Sequence, residues 1–290
     1  MLLEIRRNFD LELSLFSSFS LPLFEKEGEW WVKRRGAFRE LRMRSRGQDT
    51  LEVENCPDPN VAFILSGAWF DPFEHLEELS EEVREKALLL VERFGDLGLA
   101  VNPYDRELIF ISVALSANTD FHANTVRWVK RISEGDLREL PGRSFQLKNL
   151  PEQLSFYLRE IKPVEDSLTP EELRLKLLQG PRIGPKIATS YLLFSRKDAT
   201  FFAPSDVHFQ RAMRKLGMLS WEKPWDPKLC RSFPCSHCPG REECLSFLAR
   251  KAFGRLAGWM QTASYILEKL YCRRRRCGEC GLREICEERA

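Results

Sequence analysis

No uninterrupted apolar run in this chain approaches the roughly 20 residues that a membrane-crossing helix needs. The opening MLLEIRRNFDLEL carries acidic residues and offers no small-residue cleavage site, so it does not read as a secretory signal. Also missing is a low-complexity linker, and the lobes of the chain are therefore expected to pack together. Neither sign of charge is in excess: 45 Lys and Arg against 43 Asp and Glu leave a formal net charge of +2. A nucleic-acid binder of this composition needs its positive charge concentrated in patches, and Arg273, Arg274, Arg275 and Arg276 form the densest one. These absences lead to the expectation of an intracellular protein, cytoplasmic or nucleoid-associated, with no membrane partner.

What is present includes nine cysteines, eight of them in two short windows. In a reducing compartment, clustered cysteines argue for metal before disulfide. Cys230, Cys235, Cys238 and Cys244 have the spacing C-x4-C-x2-C-x5-C, and Cys272, Cys277, Cys280 and Cys286 repeat it. Four thiolates within about fifteen residues, including a C-x2-C pair, can wrap one metal centre. Disulfides are the competing reading, weakened because cysteines so close in sequence pair poorly. Cys56 stands apart and reads as a buried structural thiol.

At 290 residues, with 43% hydrophobic and 30% charged residues, the chain reads as globular, with room for two or three small lobes. Up to about residue 55, LELSLF, EWWVKRR, FRELRMRS and TLEVEN alternate in the manner of strands, which predicts an antiparallel sheet. From about residue 72 the apolar spacing becomes helical, as in SEEVREKALLLVERFG and RELIFISVALSANT. The expected fold class is α+β. An antiparallel β domain over 1–70 precedes a helical domain over 71–229, and cysteine-rich loops occupy 230–290 around one further helix.

The segment SLTPEELRLKLLQGPRIGPKIATSYLLFS is written as two helices joined by a tight turn, spanning 169–196. Thr169 with Glu172 makes a capping box, Pro170 suits the first turn, and Gly180–Pro181 ends the first helix. The second helix opens after Gly184 at Pro185–Lys186. Backbone N–H groups of Ile183 and Gly184 at such a turn are candidates to seat a DNA phosphate without reading bases.

PRIGPKIA resembles the hairpin of the helix-hairpin-helix DNA glycosylase superfamily, usually written Pro-Gly-Val-Gly-x-Lys. Arg182 stands where that family has a glycine. The family's aspartate follows about twenty residues on in a Val-Asp-x-His context; here APSDVHFQR places Asp206 and His208. The resemblance implies that Lys186 is a nucleophile, that Asp206 offsets the charge built on the sugar, and that His208 lies near a DNA phosphate. A lysine at this position further implies a bifunctional glycosylase and AP lyase. LSANTD is similar to the family's Leu-Ser-Ala-Gln segment and puts Asn118 at the position of the wedge that fills the gap left by an extruded base.

The segment RLAGWMQTASYILEKLY carries Gly258, Gln261 and Tyr265 on one helical face, and on periodicity alone that face reads as solvent-exposed. Its wording is similar to the Ala-Gly-Trp-Ala-Gln segment of 8-oxoguanine DNA glycosylases. The resemblance implies base recognition by Gln261 and Tyr265, with room left by Gly258 and with Ser190 lining the other base face. The family's first-domain text Gly-Gln-x-Phe-x-Trp reads here as Ser18, Phe19, Leu21 and Leu23, so a glycine that helps identify the oxidised purine is replaced. Trp30 and Trp31 read as strand-packing residues, and His75 and His122 as ordinary structural ones.

CRRRRCGECGLREIC resembles the [4Fe–4S] loop of endonuclease III and adenine glycosylases, although that family's first spacing is six residues rather than four. It implies an iron–sulfur cluster on Cys272, Cys277, Cys280 and Cys286, with the intervening arginines directed at DNA. The first cysteine set has no counterpart there; a second [4Fe–4S] cluster and zinc, with His237 as a substitute ligand, both stay open. The expected function is excision of an oxidised purine such as 8-oxoguanine from double-stranded DNA by a monomer. Two alternatives stand beside it: an endonuclease III-like enzyme for oxidised pyrimidines or another modified base, and a non-catalytic DNA-binding iron–sulfur protein.

Overall fold

The computed structural model describes residues 1–6, 8–135 and 144–288. Five short strands, β1 (Leu2–Glu4), β2 (Phe24–Glu27), β3 (Trp30–Lys33), β4 (Arg42–Arg46) and β5 (Thr50–Glu54), form one antiparallel sheet in the order β1-β5-β4-β3-β2. The register pairs Leu3 with Leu51, Met43 with Val53 and Trp31 with Met43, so these side chains share the covered face. Trp30 lies on the other face, with the guanidinium groups of Arg42 and Arg44 at 5.0 and 4.5 Å from its ring. It packs within the sheet, as its sequence context suggests.

The expected strand LELSLF is instead the helix α1 (Leu11–Phe16). In six residues, alternation and helical spacing are hard to tell apart. Asp10 decides the outcome, its Oδ1 accepting from the Leu13 N–H at 2.8 Å, while Leu11, Ser14 and Leu15 turn inward at helical spacing. Helix also begins earlier than about residue 72. The apolar run after Asp58 forms α2 (Pro59–Ser66), which closes on Gly67 in the left-handed region at φ 92°.

The helices that follow are α3 (Arg84–Phe94), α4 (Arg106–Leu115), α5 (Val126–Ser133), α6 (Phe145–Phe156), α7 (Pro170–Leu177), α8 (Pro185–Ser195), α9 (Val207–Lys215), α10 (Pro227–Ser232), α11 (Leu245–Phe253) and α12 (Ala257–Ile266). The α+β class expected from the sequence is the one observed. One core lies under the sheet and joins Leu15, Met43, Val53 and Leu65 to Leu115 and Trp128; a larger one gathers Phe110, Leu192, Phe209 and Trp259. The strap from Leu97 to Asn102 ties them together. Its Leu97 carbonyl accepts from the Trp259 indole at 2.9 Å, its Ala100 carbonyl from Ser18 Oγ at 2.8 Å, and its Asn102 N–H donates to Phe194 O at 2.8 Å. Among the described residues, no helix is long and apolar enough to cross a membrane.

Candidate catalytic and nucleic-acid site

α7 begins as its sequence requires: Thr169 N donates to Glu172 Oε2 at 2.9 Å, and Thr169 Oγ1 accepts from the Glu172 N–H. The turn into α8 is built differently from expectation. Gly184 has an ordinary φ of −96°, and the left-handed residue is Arg182 at φ 52°. The turn therefore keeps its shape with a non-glycine residue in the left-handed region, at a cost of about 1–2 kcal/mol. Gly180 is required by packing, since a Cβ there would lie 2.6 Å from the Phe156 ring. Gly184 is bare toward open space, with nothing within 4 Å of an added Cβ. The Ile183 side chain is fully buried and anchors the turn from inside, while its N–H lies 3.4 Å from Gly180 O.

Lys186 sits in the first turn of α8, and Asp206 caps α9. Asp206 Oδ1 accepts from the His208 and Phe209 N–H groups, both at 2.9 Å. Its other oxygen, Oδ2, accepts from Gln261 Nε2 at 3.0 Å. Lys186 Nζ donates to Ser116 Oγ at 2.6 Å and lies 5.5 Å from the Phe19 ring centroid. Burial pushes the Lys186 ammonium below the ordinary lysine range, and the nearby Asp206 carboxylate acts against that shift. Ser116 and Phe19 lie in segments the sequence marks for other reasons, but their contact with Lys186 is not foreseen there, because they reach it only through the packing of α4 and the chain after α1 against α8.

α12 is buried on every face, which explains why periodicity misread it. Gln261 is only 5% exposed. Gly258 does not leave room for a ligand, in contrast to expectation: a Cβ there would stand 2.3 Å from Leu193 Cδ1 and 2.7 Å from Thr200 O. The residue lets α12 lie close against the 200–202 segment, where its N–H donates to Thr200 O at 2.7 Å. Ser190, one turn after Lys186, is buried in α8. The Tyr265 ring meets the His208 ring edge-on at 4.9 Å, and burial holds its hydroxyl well above the ordinary phenol range. Burial lowers the pKa of His208, opposed by Asp206 and Glu268.

Just past α4, Asn118 is exposed and left-handed at φ 51°, two residues beyond the Ser116 that holds Lys186. The buried Gln146 of α6 fixes this loop by donating to Ala117 O at 2.6 Å. No sequence signal marked Gln146. His75, by contrast, is structural as expected, tilted against Phe70 at 5.0 Å. Ser18 O accepts from the Leu21 N–H at 3.1 Å, and Ser18 Oγ donates to Ala100 O.

None of the nine cysteines, all among the described residues, is joined in a disulfide. Cys56 is half-buried rather than buried, its Sγ donating to Asp58 O at 3.0 Å. Cys272, Cys277, Cys280 and Cys286 line one cavity together with Leu267, Tyr271 and Leu282. Cys230, Cys235, Cys238 and Cys244 lie close enough to influence one another and the fully buried Arg174, whose guanidinium donates to Phe233 O at 2.8 Å. His237 is exposed and engaged by Ser236 at 2.9 Å. Burial pushes the Cys235 and Cys272 thiols up to about 12. Among the described residues, no three His, Cys, Asp or Glu side chains form a ready site for a metal ion. Arg273, Arg274, Arg275 and Arg276 are all exposed; Arg276 is bound to Glu279 at 3.0 Å, while Arg273 acts electrostatically on His208 and Tyr265.

No family model matches the chain, and no curated protein matches it in sequence. Solved structures do. An 8-oxoguanine glycosylase/lyase of Clostridium acetobutylicum, in complex with double-stranded DNA containing cytosine opposite 8-oxoguanine, is 18% identical with a TM-score of 0.64, covering 93% of this chain and 98% of that one. MBOgg1 in complex with a low-affinity DNA ligand gives 15% identity and a TM-score of 0.65, over 93% and 95% of the two chains. A 3-methyladenine DNA glycosylase from Archaeoglobus fulgidus gives 14% and 0.65, over 93% and 98%. The chain has the fold of the helix-hairpin-helix DNA glycosylases, the fold its sequence led us to expect.

Proposed function

We propose that the chain is a DNA glycosylase of base excision repair with AP-lyase activity, acting on an extruded oxidised purine of the 8-oxoguanine type in double-stranded DNA. One observation carries the reading: a desolvated Lys186 opens the second hairpin helix and feels the charge of Asp206, which three donors hold in place. An unprotonated Lys186 Nζ attacks the anomeric carbon. The new C–N bond forms as the N-glycosidic bond breaks, and the bonding pair leaves with the base, which takes up a proton. Positive charge grows on the sugar during this step, and the Asp206 carboxylate offsets it. Loss of the ring oxygen from the anomeric carbon leaves a Schiff base, whose acidified neighbouring C–H permits strand scission by elimination.

In this reading Gln261, Tyr265 and Ser190 face the base, Asn118 fills its vacated place, and the Gly184 turn, His208 and the arginines from Arg273 hold the DNA backbone. The C. acetobutylicum structure supports the purine assignment through what that protein is named as binding and acting on. Borohydride trapping tests the chemistry. Wild-type protein is expected to form a covalent adduct with 8-oxoguanine duplex, and Lys186→Gln to form none; an adduct with the variant, or none with wild type on any lesion, overturns the assignment. Faster excision of an oxidised pyrimidine in a single-lesion panel would redirect it to the endonuclease III-like alternative.

Cys272, Cys277, Cys280 and Cys286 line one cavity, and four soft thiolate donors are the chemistry an iron–sulfur cluster takes, which supports a cluster there. Cys272, Cys277, Cys280 and Cys286 would hold it, and it would cross-link the arginine loop to the α12 extension. Cys230, Cys235, Cys238 and Cys244 are proposed as a second metal centre, iron–sulfur or zinc, beside Arg174. Elemental analysis and the visible spectrum decide. Iron with thiolate-to-iron absorption supports clusters, zinc in colourless protein removes them, and metal-free folded protein removes both centres.

A further inference from the structure

From Phe19 beside Lys186 to His208 beside Asp206, aromatic rings form a continuous chain. Phe19, below Lys186, meets Phe121 edge-on at 5.1 Å, and Phe121 meets His122 at 5.1 Å. His122 stacks on Phe16 with centroids 4.0 Å apart and planes 19° from parallel. Across the gap, Tyr265 faces His122 at 6.2 Å, and beyond it stands His208. Three polar atoms of this ring, His122 Nε2, Tyr265 Oη and His208 Nδ1, are buried with no hydrogen-bond partner among the described residues. Each such buried atom, left unpaired in this way, is unfavourable. Gathered at one place beside a reactive lysine, they point to a partner that arrives with the substrate.

We propose that His122 is a base-specificity residue whose Nε2 hydrogen-bonds the edge of the extruded base. The proposal rests on the glycosylase reading above. The ring is held for that task. Asp120 Oδ1 accepts from the Ala123 N–H at 3.0 Å, and its Oδ2 accepts from Lys269 at 2.5 Å, tying the loop that carries His122 to the end of α12. His122 also stays neutral. Burial and the Lys269 ammonium bring it down to about 4 against the opposing Asp120, so at neutral pH one ring nitrogen carries a proton and the other is bare. A neutral imidazole thus offers direction rather than charge, which suits a base edge rather than a phosphate.

His122→Phe keeps the stack on Phe16 and removes both nitrogens. Two substrates separate reading a base from holding the fold: an 8-oxoguanine duplex, and a duplex with an abasic site, which presents no base to read. Single-turnover excision from the first is expected to fall tenfold or more, with scission of the second within twofold of wild type. His122→Asn, which restores a hydrogen-bonding amide, should recover part of the excision rate. Unchanged excision by His122→Phe, or an equal fall on both substrates, overturns the proposal. If wild-type protein releases no base from any lesion duplex, the glycosylase reading falls first and this proposal with it; a missing borohydride adduct with abasic DNA removes the lyase step alone, and base release by His122→Phe then decides the proposal.

Discussion

Lys186 is asked to be a cation in water and an amine in the site. Removing it from solvent favours the neutral form, and the Asp206 carboxylate favours the charged one; desolvation is the larger effect. The pH dependence follows. In the proposed chemistry the nucleophile is the unprotonated amine, so single-turnover trapping should rise with pH along a limb centred below the ordinary lysine value of about 10.4. Asp206→Asn removes the group that raises the Lys186 pKa, so the limb should move to lower pH even as the maximal rate drops. A limb that stays put or moves up would show that Asp206 does not act on Lys186 electrostatically. Some of this is legible in the sequence: the Thr169–Glu172 box follows from local spacing, and Lys186 and Asp206 are singled out by the resemblance of their two segments to a known hairpin motif. The contacts of Ser116 and Phe19 with Lys186, and of Gln146 with the Asn118 loop, are not, because each joins distant stretches of chain.

Among the elements, α12 has the most demanding place. It packs on α9 and α11, carries Gln261 to Asp206, and runs through a wide final turn into the second cysteine set. Gly258 makes its approach to the 200–202 backbone feasible. Gly258→Ala should therefore destabilise the fold by about 1–3 kcal/mol, the usual cost of overpacking, as read by urea denaturation. Because the clash lies three residues from Gln261, excision should suffer even where the variant is still folded. Wild-type stability and rate for this variant would mean that α12 has slack there. The hairpin turn shows the opposite economy, with the left-handed Arg182 kept at the surface and paired to Glu152 at 2.7 Å.

On the scale of the whole molecule, the sheet is joined to the helical body through a buried ion pair. Lys33 of β3 donates to Asp105 Oδ2 at 2.7 Å and to Arg35 O at 2.7 Å, while Asn102 donates to the same carboxylate at 2.9 Å. Both side chains are almost wholly buried. Lys33→Met leaves the carboxylate without its cation, and a loss of about 3–5 kcal/mol in chemical denaturation is expected. A loss below 1 kcal/mol would show that the sheet docks by its apolar face alone.

Local patterns determined a good deal by themselves: an N-terminal sheet, a helical body, the two-helix hairpin, the Lys186–Asp206 spacing and the doubled cysteine set. Each depends on neighbours a few residues apart, where propensity, capping and periodicity act. Tertiary structure alone decided that α12 is buried on every face, that Ile183 points inward, and that α1, the Asn118 loop, α8, α9 and α12 meet around one lysine. Those outcomes depend on desolvation and packing between segments tens to hundreds of residues apart, and a linear pattern carries no record of which segments will meet.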